Sequence, residues 1–219
     1  MSSDGVSYTS YLRIPAILSM QQPLTPRTDE DTWAAERFFI VCHQASELWL
    51  SQVFVDIQQA AALAELGDWK GTRAPLERAA SLVQLLTAHV AQLAYLPRDC
   101  FIRFRTALNG ASGADSKQFQ ELLLGPYHPQ LSRIRTCLER AALTAPHSPS
   151  ACDHARCAAA STLESFIAGI VAWREKHISI TEYLIGGLPG TGGTEGADYL
   201  RKRAADATSD WASQGALPR

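Results

Sequence analysis

Nowhere in the chain is there a run of alternating β-branched and polar residues bounded by turn pairs, while Ala, Leu, Gln, Glu and Arg recur at helical spacing from end to end. These residues lose little on entering a helix, and a chain without period-two segments offers no half-buried strand to pair. The expected fold is all-α, a helical bundle with long antiparallel helices. Proline and glycine punctuate it. A short, partly helical stretch over 8–20 precedes a loop with Pro23 and Pro26. A first long helix is expected from Thr28 or Asp29 to Leu66, entered through a capping-box-like Thr28 and Asp31 and stopped by Gly67. A second is expected from Thr72 to Leu96, with Pro75 in its first turn and Pro97 as its stop. Short helices follow over 98–108 and 115–124, with 111–114 as a loop, then a medium one over 129–143. A linker over 144–150 leads to a last long helix over 151–185, which ends at Gly186-Gly187.

Charge and apolar distribution exclude several classes of function. The 20 Lys and Arg against 22 Asp and Glu leave no basic surface for nucleic acid. Apolar stretches such as 167–173 are broken by charge before the ~18 residues a membrane span needs, so no membrane partner is expected. Met1-Ser2-Ser3-Asp4-Gly5 has neither the basic region nor the apolar run of a signal peptide, which points to the cytoplasm. A chain of 219 residues fits one domain, 1–219, with 1–27 as an N-terminal segment and 186–197 as a Gly-rich loop. Five cysteines at irregular spacing read as free thiols. His147, Cys152, His154 and Cys157 are all ligand types, but their spacing matches no paired zinc block and no metal is expected there.

Three places hold residues suited to chemistry. Phe39 and His43 are four apart on the first long helix and share a face, as do Phe101 and Arg105 on a short one, with Ser112 just beyond. A guanidinium grips a carboxylate through two parallel hydrogen bonds. His177, near the end of the last helix, has Ile170, Trp173, Thr181 and Leu184 on its own face. A histidine so placed is most often structural, and it is also what a heme pocket in a bundle requires. The glycines over 190–196 follow a helix and lack a P-loop lysine, so a nucleotide site is not indicated.

Four blocks occur in order: Tyr8-Thr9-Ser10-Tyr11-Leu12; Phe38-Phe39-Ile40-Val41-Cys42-His43-Gln44-Ala45-Ser46-Glu47-Leu48-Trp49-Leu50; Phe101-x-x-Phe104-Arg105 with Ala111-Ser112-Gly113; and His177 followed by Ile185-Gly186 and Pro189-Gly190-Thr191-Gly192-Gly193. Together they resemble the tryptophan 2,3-dioxygenase family, within the wider superfamily of heme-dependent aromatic oxygenases. The resemblance implies that His177 is the axial ligand of a heme b iron, with Trp173, Ser112 and Gly113 beside the cofactor. It implies that His43 is the distal histidine that hydrogen-bonds the indole N–H, and that Phe39 and Phe101 line the indole pocket. By the same resemblance Arg105 binds the amino-acid carboxylate, Thr191 contacts the ammonium and carboxylate, and Ser112 is a pocket serine. Tyr8, Tyr11 and Leu12 would reach a neighbouring subunit's site, which implies a homodimer or homotetramer.

The sequence departs from the family pattern in three ways. Phe101 stands where Tyr is usual and Cys42 where Gln is usual, and the stretch from Gly125 to His177 is several tens of residues short. The implied activity is a heme-dependent oxygenase that uses O2 to oxidise the indole of tryptophan or an analogue, with C2–C3 cleavage to an N-formylkynurenine-type product. The departures keep monooxygenation to a 2-oxindole in a natural-product pathway open as an alternative. A non-catalytic heme-binding sensor is a further one.

Overall fold

A computed structural model describes residues 7–144, 151–190, 193, 195–198 and 200–202, with backbone only at 126 and 151–153. Among them are helices α1 (Tyr8–Tyr11), α2 (Ile14–Leu18), α3 (Glu30–Glu65), α4 (Trp69–Gln92), α5 (Arg98–Arg105), α6 (Lys117–Leu124), α7 (Pro129–Leu143) and α8 (Ala151–Ile185), with single 3-10 turns between some of them and no strand. The all-α expectation holds, and the bounds of α7 and α8 coincide with the sequence reading.

The differences lie at helix ends and have local causes. Asp29, not Thr28, caps α3, its carboxylate accepting from Thr32 N at 3.3 Å. α4 starts earlier than Thr72: Asp68 accepts from Gly71 N at 2.8 Å, and Thr72 Oγ1 donates back to Asp68 O at 2.7 Å. That cap outweighs the unfavourable helix propensity of Gly71, and Pro75 therefore sits inside the helix, buried, instead of in the first turn. The expected extensions to Leu96 and Leu108 are 3-10 turns, Leu93–Tyr95 and Thr106–Leu108, the second ended by Asn109 in the left-handed region at φ 47°. A further 3-10 turn, Gly113–Asp115, forms where a loop was expected, and α6 begins only after it.

α4 is the spine. Leu76, Ala79, Val83, Leu86 and Val90 recur at three- and four-residue intervals and are buried, giving α4 a stripe that packs along both α3 and α8. From α3 it meets Leu50, Val53, Ile57 and Ala60; from α8, Leu163, Phe166, Ile167 and Ile170 complete the core. Gly169 lets the last helix come close, since a Cβ there would stand 3.2 Å from Val83 Cγ1. α3 and α8 flank α4 and pack at most slightly on one another, while α5 touches both. By length and composition α8 is apolar enough to cross a membrane, but its large apolar side chains from Leu163 to Trp173 are engaged in this core.

An ion pair between an exposed arginine and a buried aspartate fixes the register of α3 on α4. Asp56 is fully buried, and its carboxylate accepts from Arg78 Nε at 2.9 Å and Nη2 at 2.7 Å, and from Gln52 Nε2 at 2.9 Å. Near the start of α3 the buried Glu36 carboxylate accepts the N–H of Leu24 and of Thr25, each at 2.8 Å, and so ties down the preceding loop. Gln44 continues that attachment, accepting from Gln21 Nε2 at 2.8 Å and donating to Met20 O at 3.0 Å. α1 and α2 bury no residue, and Arg13 between them is left-handed at φ 53°.

Candidate active site

His43 stands on α3 and His177 on α8, and the two rings are near enough to influence each other electrostatically. Phe39 O accepts a hydrogen bond from His43 Nδ1 at 2.8 Å. A carbonyl can only accept, so the proton is on Nδ1 and Nε2 carries the free lone pair. The Phe39 ring lies against the His43 imidazole with centroids 3.9 Å apart. On α8, His177 stacks on Trp173 at 5.2 Å and 10°, and Phe119 from α6 stacks on Trp173 at 5.6 Å and 18°. No hydrogen bond from the described residues reaches the His177 ring.

Both imidazoles are held neutral. Burial pushes His177 down to about 4, and the nearness of His43, whose charged form would repel that of His177, adds to the effect. Burial also pushes His43 down, opposed by the Phe39 carbonyl and by the Glu47 carboxylate one turn along the helix. The electrostatic influence of one ring on the other sets them within reach of each other, and both keep accessible surface. Glu47 is anchored from α6, where Gln118 Nε2 donates to its Oε2 at 2.6 Å and to its backbone carbonyl at 3.0 Å.

α5 supplies the next side of the site. Phe101 and Phe104 are buried and form an aromatic cluster with Phe39, at centroid distances of 5.3 to 5.8 Å. The Arg105 guanidinium carbon lies 6.0 Å from the Phe101 ring centroid, and Nη2 donates to Pro189 O at 2.6 Å, at the base of the Gly-rich loop. An open crevice of about 370 Å³ lies between Arg105, Thr106 and Asn109 on one side and Leu188 and Gly190 on the other; neither histidine lines it.

The other sequence-derived residues are placed differently. Ser112 Oγ accepts from Ala114 N at 3.2 Å while its own N–H donates to Asp115 Oδ2 at 2.8 Å, a capping box that holds the turn in which Gly113 is exposed. Tyr8 and Tyr11 are each 75% exposed and Leu12 is exposed as well, so α1 is not folded into this chain's own site. Thr191 lies outside the described residues, as do His147 and the side chain of Cys152. Phe119, Gln118, Arg98 and the Pro189 carbonyl were not singled out from the sequence. Phe119 could have been noticed as the lone aromatic of its helix; the carbonyl leaves no mark in a residue pattern.

Comparison with known proteins bears on this arrangement. A family profile described as tryptophan 2,3-dioxygenase matches residues 1–135, more than half of the chain. The chain belongs to the tryptophan 2,3-dioxygenase family. A tryptophan 2,3-dioxygenase of Caulobacter vibrioides is 29% identical over 257 aligned positions, covering 92% of this chain and 95% of that protein. The tryptophan 2,3-dioxygenase of Anaeromyxobacter sp. (strain K) is 29% identical over 264 positions, covering 98% of this chain and 97% of that one. That of Pseudomonas fluorescens is 28% identical over 251 positions, with 91% and 86% covered. Each alignment is longer than the 219 residues present, so these members of the tryptophan 2,3-dioxygenase family carry segments with no counterpart here.

The residues fit the heme that membership implies. His177 offers a neutral imidazole without a protein hydrogen bond, the form in which nitrogen ligates iron. Among the described residues no three His, Cys, Asp or Glu side chains converge to hold a bare ion. A bound heme would be held by His177 and would supply the iron chemistry.

Proposed function

We propose that this chain is a heme-dependent oxygenase that uses O2 to oxidise the indole ring of tryptophan or a substituted tryptophan at C2/C3, cleaving the C2–C3 bond to an N-formylkynurenine-type product. The observation that carries the reading is the pair of buried imidazoles, His43 on α3 and His177 on α8, both held neutral by burial, in a member of the tryptophan 2,3-dioxygenase family. His177 would hold the heme, beside Trp173, and the heme would supply the iron chemistry that activates O2.

The chain's own residues would position the substrate. His43 Nε2, left unprotonated by the bond from Nδ1 to Phe39 O, is an acceptor for the indole N–H. Phe39 and Phe101 present apolar faces to a flat ring and keep water from it. Arg105 takes the amino-acid carboxylate by exchanging its bond to Pro189 O for two to the carboxylate, and Thr191 in the following loop contacts the ammonium group. Ser112 and Gly113 border the site beyond α5. The chain works as one domain in the cytoplasm. Tyr8, Tyr11 and Leu12, exposed on a segment that buries nothing, complete the site of a second copy in a homodimer or homotetramer.

A second reading is favoured by a specific observation. Phe101 lacks the hydroxyl that the family's Tyr would bring to the substrate, and one polar contact fewer costs about 1 kcal/mol of orientation. Monooxygenation to a 2-oxindole is the outcome that looser orientation favours. The deciding experiment reconstitutes the protein with heme, reduces the iron and records the absorption spectrum with and without CO. It then supplies tryptophan or a substituted analogue with O2 and an electron donor, which monooxygenation needs to reduce the second oxygen atom to water, and weighs the product. A CO-shifted Soret band and a gain of two oxygen atoms support the first reading, and a gain of one supports the second. No heme spectrum at all overturns both.

A further inference from the structure

Of the three arginines of α5, Arg98 and Arg105 stand seven residues apart, on one face and about two turns from each other. Both leave their own helix and donate to backbone carbonyls on either side of the junction between α8 and the Gly-rich loop. Arg105 Nη2 reaches Pro189 O at 2.6 Å and Arg98 Nε reaches Leu184 O at 3.3 Å. The Arg98 guanidinium also lies tightly against Gly186, where a Cβ would stand 3.0 Å from Nη2, and Gly186 ends the helix with φ +58°.

The position of Arg98 is informative. It is the first residue of α5, where the helix dipole disfavours a cation, and it is the last turn of α8, which carries no basic residue of its own, that gains one. Leu184 is among the final carbonyls of α8, which have no partner within the helix. The loop that leaves this junction is closed at its neck: a Cβ on Gly196, at φ +66°, would meet Leu188 O at 2.8 Å and Gly190 N at 3.5 Å.

We propose that Arg98 is a positioning residue that fixes the neck of the Gly-rich loop, so that Arg105 can exchange the Pro189 carbonyl for the substrate carboxylate without the loop moving away. The proposal rests on the reading of Arg105 as the carboxylate clamp. It makes α5 a two-point brace in which one arginine is constant and the other is handed over. Arg98 itself touches no substrate atom. Its influence falls on ligands that need the loop, amino acids, and spares an indole without carboxylate and ammonium groups.

The test uses the full chain with Arg98→Gln and Arg98→Lys. Hydrogen exchange of the heme-free protein is read at the Gly186 and Leu188 amides, which are bonded to Glu182 O at 2.8 Å and Ile185 O at 3.1 Å. Arg98→Gln should speed exchange there by about tenfold and leave amides in the middle of α4 unchanged, with Arg98→Lys intermediate. With heme, Arg98→Gln should raise KM for tryptophan by about tenfold and change kcat little, with 3-methylindole unaffected. Unchanged exchange at the neck, or an equal loss on both substrates, overturns the proposal. If the wild-type chain oxidises neither substrate, the proposed function fails instead, and the exchange result alone still decides the role of Arg98 at the neck.

Discussion

Holding His177 neutral in a buried site makes the heme-free protein sensitive to acid, and the size of the effect follows from the structure. The ring titrates near 6.5 in an unfolded chain and at about 4 in the folded one. Below 6.5 the unfolded state binds the proton and the folded state does not, so stability is fully present above 6.5 and is lost as pH falls through the window down to about 4. The linkage relation gives a loss of about 2 kcal/mol at pH 5 and about 3 kcal/mol at pH 4, relative to pH 7. His177→Leu removes this contribution and keeps an apolar side chain against Trp173. Urea unfolding of the heme-free wild type and variant, from pH 7 to pH 4, should therefore show the wild type losing about 3 kcal/mol more than the variant over that range. His43 and His128 are also pushed down by burial, and both remain in the variant, so only the difference between the curves is diagnostic. Curves that stay parallel over the window would show that His177 is not held neutral by its surroundings, and the argument for a ready ligand would go with it.

Two further outcomes test separate parts of the structure. Arg78→Met leaves the fully buried Asp56 carboxylate with Gln52 alone and should destabilise the fold by about 1–2 kcal/mol in chemical denaturation, because Arg78 is half-exposed and water can partly replace it. Adding Asp56→Asn should recover part of that loss, and no recovery would mean that the charge is not the cause. Arg105→Leu should lower kcat/KM for tryptophan by about 100-fold, the scale of two charge-assisted hydrogen bonds, and lower it for 3-methylindole by no more than about threefold. Equal losses in steady-state assays of the two substrates would contradict a carboxylate clamp.

Much of the fold was legible because it is written in local terms. α7 begins at Pro129 and α8 ends before Gly186, residues whose backbone chemistry leaves little choice. The start of α4 was misread because Gly71 looks like a breaker, when the Asp68 carboxylate three residues earlier takes its N–H and makes it part of the first turn. The site was legible residue by residue: Phe39 with His43, Phe101 with Arg105, and His177 with Trp173 each share a helix face. What spacing along one helix could not carry is contact between helices. Phe119 against Trp173, Gln118 on Glu47 and Arg98 on Leu184 are pairings over long sequence separations, and no periodicity encodes them. The tautomer of His43 was equally hidden, since it depends on which ring nitrogen finds the Phe39 carbonyl.

α3 and α8 pack chiefly on α4 and at most slightly on one another, so α4 acts as the spacer between them. Their separation is governed by the girth of that rod and by how closely Gly169 lets α8 settle on Val83. A lineage can therefore exchange lining residues, such as Tyr for the present Phe101, without altering the span between the two histidines. Enlarging Gly169 would change that span while leaving every lining residue intact.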